Sequence, residues 1–271
     1  MNKRRLLVRA LPIGIAVLVV CFQYFSSEKF TNEAGRTARH ALNPQQEERL
    51  GMQSYQQVLQ AAQTIDSGPE YELVKRVKDR LAAATGPAAQ TFHWEVSLVS
   101  SPQINAFCLP GGKIVVYTGI LPVARTEAGL ATVMGHEMAH ATLRHGSERL
   151  LQQKATQTLL TGVQTSLGDM NYEQQRAIMG AIGAGAQYGV LLPFSRDHES
   201  EADKVGLTYM ARAGYDPRES VAFWQRMSEA SAGSGKPMEF MSTHPSDATR
   251  IAQLKALLPA AQAEYDRTQP H

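Results

Sequence analysis

His136-Glu137-Met138-Ala139-His140 constrains this chain more than any other stretch, because its two histidines can act together only on a helix. Residues four apart on a helix share a face about one turn apart, and two imidazoles so placed can grip one zinc ion. Glu137 projects near the same face, where a carboxylate can take a proton from water polarised by the metal. The pentapeptide is short enough to arise by chance. A genuine site therefore has to find a third protein ligand elsewhere and leave one position open.

The chain is 271 residues long, 43% apolar and 19% charged, enough for one well-cored domain and a short appendage. Its formal charge of +2 misleads. Lys3, Arg4, Arg5 and Arg9 fall in the first 25 residues, which hold no Asp or Glu; the remainder carries 23 basic against 25 acidic residues, a net of −2. A slightly acidic body without a basic stripe gives no reason to expect a nucleic-acid partner. The basic start followed by the apolar run Leu11 to Phe25 reads as a targeting segment. Fifteen residues is short of the roughly 20 of a free-standing span, so signal peptide and uncleaved anchor both stay open over 1–25. No small-x-small cleavage pattern follows the run, which favours the anchor. Val20 before Cys21 is too bulky for a lipoprotein signal. By the positive-inside rule either route leaves the body on the non-cytoplasmic side. With Cys21 in that segment and Cys108 the one cysteine of the body, no disulfide framework is expected, and Phe107-Cys108-Leu109 reads as a buried strand.

Residues 26–42 are polar with little periodicity and suit a tether. A helix is expected from Pro44, capped by Asn43, to about Thr64, and a second from Gly68-Pro69 to Gly86-Pro87. Phe92 to Leu98 alternates as a strand, with His93 facing outward. Ile104–Leu109 and Ile114–Tyr117 flank the turn Pro110-Gly111-Gly112-Lys113, which predicts a hairpin in a small antiparallel sheet. Thr126 caps the helix of the histidine pair, which ends near Gly146. Helix continues over 151–180, with a polar interruption from Gly168 to Asn171. The Gly/Ala-rich stretch 180–189 suits close helix packing or a flap. Arg196–Arg212, Asp216 to about Ser231, and Ser246 to Pro259 complete the helices, with 231–236 a loop. The domain thus spans 43–260, and 261–271 is a polar tail.

The third ligand is not a histidine in the metzincin register, since Leu143 and Gly146 stand where that pattern needs Gly and His. His145 is off that register and reads as a solvated residue at a helix end. Glu199-Ser200-Glu201-Ala202-Asp203 is the better source. Glu199 and Asp203 share a face, so one carboxylate can bind the metal while the other orients a ligand imidazole. Glu199 is assigned the ligand and Asp203 the supporting partner; Glu201 points about 200° away round the helix. His244, in Thr243-His244-Pro245, and Arg250 are candidates to stabilise an oxyanion, against the plainer reading of a capping or surface histidine.

These segments, together with Asn105-Ala106-Phe107…Leu109-Pro110-Gly111-Gly112 and Tyr117-Thr118-Gly119, closely resemble the M48 family of zinc metallopeptidases, in order and spacing from about Pro44 to Leu258. A single N-terminal apolar segment is similar to the OMA1-type and periplasmic bacterial branch. The resemblance implies an α+β, mostly helical zincin-type fold with one zinc ion on His136, His140 and Glu199, and Glu137 as general base and acid. It implies that Asn105, Ala106 and Phe107 lie on a strand edge that pairs with substrate backbone, which suits an enzyme reading extended chains through main-chain hydrogen bonds. It places His244 and Arg250 near the active site, and in some periplasmic relatives a histidine in this loop plugs the zinc's open position.

The reading is a zinc endopeptidase acting on protein or peptide substrates, exported or tethered to the membrane by its N-terminal segment, in the periplasm or on the periplasmic side of the inner membrane. Protein quality control is the role that the resemblance implies. The alternative is a latent, zinc-stabilised chaperone or assembly factor whose edge strand holds unfolded chains. Oligomeric state is not legible in the sequence.

Overall fold

The structure is a computed structural model that describes residues 3–87, 90–168, 170–180, 194–233, 238–244 and 248–269. Pro245 and all of the Gly/Ala-rich stretch after Gly180 lie outside the described residues. The chain divides into two units: residues 1–30, 37–43 and 147–192, and residues 31–36, 44–146 and 193–271.

In the first unit, helix α1 (Lys3–Ser26) carries Pro12 within it. Its stretch Val8–Ser26 is long and apolar enough to cross a membrane, longer than the run from Leu11 expected from the sequence. Strands β1 (Glu28–Thr31) and β2 (Thr37–His40) form a two-stranded sheet. The expected tether over 26–42 is therefore a hairpin. Helix α6 (His145–Ser166) lies against α1, where a Cβ on Gly162 would sit 2.5 Å from that of Ala16. Ser166 Oγ also donates to the Arg9 carbonyl at 2.6 Å.

The second unit holds the main core. Helices α2 (Pro44–Ala61) and α3 (Pro69–Ala84) start at their prolines, and Gly68 opens α3 at φ 100°, which glycine adopts freely. The chain then makes a four-stranded sheet of β3 (Thr64–Ile65), β4 (Glu95–Val99), β5 (Ala106–Leu109) and β6 (Lys113–Tyr117), in the order β3-β4-β6-β5. β5 and β6 form the expected antiparallel hairpin, while β4 pairs β6 in parallel, so the sheet is mixed. Thr64, read as the helix end in the sequence, instead pairs with β4 together with Ile65. Lys113, expected in the turn, begins β6 almost fully buried, its ammonium donating to the His93 carbonyl and the Glu95 carboxylate. His93 is exposed and Cys108 half-buried, with burial pushing its thiol pKa up, as a structural cysteine requires.

Below the sheet, α4 (Leu121–Ala124) leads into α5 (Glu127–Thr142), whose every residue from Gly129 onward is buried. Thr126 caps it by accepting from Gly129 N–H at 2.9 Å. The helix does not run on to Gly146. Leu143 and Arg144 break it, Arg144 adopting φ 59°, and α6 starts afresh at His145. The left-handed residue is held by a buried ion pair in which Arg144 Nε–H is shared between both Glu47 oxygens, at 3.0 and 3.1 Å.

Around α5 pack α3, β5, α7 (Arg196–Arg212) and α8 (Glu219–Gly233). Helix α9 (Glu239–Thr243), unforeseen in the sequence, and α10 (Ala248–Asp266) follow. α10 does not fade at Pro259. It carries the proline within it and takes in Ala261 as a core residue, so the polar tail is shorter than expected.

Candidate metal centre

α7 reads as a capped helix: Ser195 Oγ accepts from His198 N–H at 3.2 Å, and Gly214 ends it at φ 76°. Glu199, Asp203 and Gly206 follow at i, i+4 and i+7 and so share one face. That face meets α5. A Cβ on Gly135 would fall 3.1 Å from the Gly206 carbonyl oxygen, and one on Gly206 would fall 2.9 Å from the His136 amide nitrogen. Only paired glycines let the two backbones approach so closely, and this approach carries the carboxylates to the histidines.

One donor atom each from His136, His140, Glu199 and His244 lies within 4.8 Å of the others, all four residues buried. His136 Nε2 is 3.0 Å from His140 Nε2 and 3.4 Å from Glu199 Oε2; His140 Nε2 is 3.3 Å from Glu199 Oε1. His244 Nδ1 lies 3.3 Å from His136 Nε2 and 3.0 Å from Glu199 Oε1. A tetrahedron with zinc–ligand bonds of about 2.1 Å has edges of about 3.4 Å, so the spacing of these donors fits that ion. Two orphaned atoms agree with it: Glu137 Oε1 and Glu199 Oε2 are buried without a hydrogen bond, the latter ion-paired at 2.8 Å to Arg250 Nη1.

Burial and close charged neighbours together set the charges of these groups. Burial disfavours charge on Glu199, but His136, with hydrogen bonds from all three histidines, holds its pKa well below the usual carboxylate range. Burial and Arg250 oppose charge on His136, yet Glu199 and Asp203 raise it to about 9. Burial takes His140 well below its ordinary value and pushes Glu137 up. Glu137 stands 3.4 Å from His244 Nε2.

Asp203 stands beside His136, while Arg250 and His145 are placed otherwise than the sequence suggested. Asp203 Oδ1 is 3.0 Å from His136 Nδ1, leaving Nε2 to face the other donors. Arg250 clamps Asp203 with Nε at 2.8 Å and Nη2 at 2.7 Å and lies 3.5 Å over the ring of Trp224. Its guanidinium is thus engaged by Asp203 and Glu199 and does not stand free to meet an oxyanion. His145 is the clearest correction. Expected in solvent, it is fully buried, with Nδ1 2.9 Å from His140 Nδ1 and Nε2 3.0 Å from Glu201 Oε2. The break at Arg144 turns it back onto His140, which helical periodicity alone does not reveal. Burial holds His145 down to about 4, while hydrogen bonds from His145 and Arg36 overcome burial and bring Glu201 to about 2. Phe194 closes against the rings of His140 and His244, and Phe240 stacks on His244.

Asn105, Ala106 and Phe107 lie at the start of β5, the edge strand, which packs on α5. The Asn105 carbonyl accepts from Tyr117 N–H, so residues 105, 107 and 109 bond toward β6. By alternation Ala106 and Cys108 turn their amide and carbonyl groups to the open edge.

Residues 69–258 match the model of Peptidase family M48. This chain belongs to the M48 family. Its relatives include the mitochondrial metalloendopeptidase OMA1 of Schizosaccharomyces pombe, 34% identical over 90% of this chain and 70% of that protein. The OMA1 of Saccharomyces cerevisiae is 36% identical over 65% of this chain and 50% of its own length. The beta-barrel assembly-enhancing protease of Yersinia pestis is 30% identical over 82% and 46%. The chain thus spans about half the length of the last two. M48 peptidases are zinc metalloenzymes, and the His-His-Glu-His group suits that cofactor.

Proposed function

We propose that this M48 metallopeptidase is an endopeptidase that cleaves extended or misfolded proteins of the cell envelope, holding one zinc ion on His136, His140 and Glu199. The convergence of these donors beside Glu137 carries the proposal. Bound zinc supplies a Lewis acid that polarises the scissile carbonyl and makes water a nucleophile near neutral pH. Glu137 takes the attacking water's proton and delivers it to the leaving amine; burial raises its pKa toward the range where one group does both. Asp203 fixes the tautomer of His136, and Arg250 is a positioning residue that holds Asp203 and Glu199. Ala106 and Cys108 on β5 supply main-chain groups at an open edge for the substrate backbone.

Envelope location is supported by the apolar N-terminal helix with its basic start and by the bacterial relative named for β-barrel assembly. A chaperone without turnover is the disfavoured reading, since the relatives are named as peptidases.

Glu137→Gln tests the mechanism. It keeps the size of the side chain and all proposed ligands, so purified protein should carry zinc as the wild type does. Casein cleavage should fall by at least about 10²-fold. Wild-type turnover by the variant would refute the role of Glu137.

A further inference from the structure

His136 and His140 are oriented in different ways. His136 Nδ1 meets a carboxylate directly, whereas His140 Nδ1 meets a second imidazole, and the carboxylate comes one step later. Glu201 accepts from His145 Nε2–H, which leaves the lone pair on His145 Nδ1 to accept from His140 Nδ1–H. That fixes the tautomer in which His140 Nε2 is free to bind metal.

Glu201 is in turn fixed from outside the family's matched region. Arg36 donates through Nε at 2.5 Å and Nη2 at 3.2 Å, and Asn32 Nδ2 donates at 3.0 Å. Both belong to the turn over residues 31–36, which is built to hold them. Asn32 N–H donates to the Arg36 carbonyl at 2.9 Å, Arg36 N–H donates to Asn32 Oδ1 at 3.0 Å, and Gly35 supplies φ 92°. Between them Glu33 accepts from Thr142 Oγ1 at 3.1 Å and from the Tyr209 hydroxyl, tying the turn to the end of α5 and the last turn of α7.

We propose that the 31–36 turn is a positioning element of the metal centre, acting from Asn32 and Arg36 through Glu201 and His145 on His140. Arg36 and Asn32 hold the Glu201 carboxylate against His145 Nε2, and the His145 ring holds His140. Zinc affinity therefore depends on a turn 33 residues before the matched domain begins. The inference rests on the reading that His136, His140 and Glu199 bind zinc.

Zinc affinity of the full chain, measured by competition with a chromophoric chelator, tests it in Glu201→Gln and Arg36→Lys. Glu201→Gln should weaken zinc about tenfold or more, the usual effect of losing an outer partner of a ligand histidine. Arg36→Lys keeps the charge but not the two-pronged grip, and should weaken zinc severalfold. Cobalt in place of zinc should show shifted visible bands in both variants, a change that general loss of stability does not produce. If Glu201→Gln fails to fold, Arg36→Lys decides alone. Affinity within twofold of wild type, with unshifted cobalt bands, overturns the relay. A wild type that carries no stoichiometric zinc overturns the zinc reading as well.

Discussion

A Cβ built on Gly206 lies 2.9 Å from the backbone nitrogen of His136, so the helix of the carboxylates and the helix of the histidines touch through bare backbone. Gly206→Ala cannot be absorbed by a flexible side chain. It should push α7 from α5, cost about 1–3 kcal/mol of stability and weaken zinc binding together. A thermal melt with a zinc titration checks it; wild-type values in both would mean the helices slide without cost.

His244 Nδ1 stands 3.0 Å from Glu199 Oε1 and 3.3 Å from His136 Nε2, within the donor set. We expect it to act as a fourth donor that keeps the site closed. His244→Ala should retain zinc and raise casein turnover severalfold or more. A fall in turnover would assign His244 to the activation of substrate instead.

Only alternate residues of β5 turn their main chain to the open edge, Ala106 and Cys108. Peptide substrates N-methylated at the positions that pair with these groups should lose roughly 2- to 12-fold in kcat/KM for each hydrogen bond removed. Methylation at the intervening positions should cost little. Equal losses everywhere would argue against strand pairing.

Acid should destabilise the metal-free protein in two steps. His145 is held to about 4 against an ordinary 6.5, and Glu201 to about 2 against 4.5. Both folded-state values are depressed, so the folded protein binds fewer protons than the unfolded chain in each window. Stability is fully present above pH 6.5 and is lost as pH falls toward 4 and then toward 2. His136, raised to about 9, acts oppositely: its contribution is present below 6.5 and is lost as pH rises through 9. Melting of metal-free protein should therefore be highest near pH 6.5. His145→Asn should shrink the loss between 6.5 and 4, leaving the share of His140, which burial also holds below its ordinary value; a wild-type melting temperature flat across that window would mean that His145 is not held neutral.

Much of the centre was legible because its chemistry is local. The spacing of His136 and His140 needs only a helix, and Glu199 with Asp203 needs only another. Thr126, Pro44 and the glycines of the β5–β6 turn announce their elements through caps and φ preferences that depend on a few neighbouring residues. Those features determined that two helices would offer a pair of imidazoles and a pair of carboxylates, and that a hairpin would stand beside them.

Tertiary structure decided how they meet. The parallel pairing of β4 with β6 passes over the intervening β5, which takes the edge, and α10 runs through Pro259 because packing takes in Ala261 beyond it. The polar stretch 26–42 lacks strand periodicity, yet it pairs as a hairpin, and its turn is held by Glu201, Thr142 and Tyr209. His145 looked like a helix-end residue until the Arg144–Glu47 pair fixed a left-handed backbone and turned it onto His140. Sequence spacing reports which residues share a face of one element. Which faces meet depends on contacts between distant segments, and those exist only once the core has closed around them.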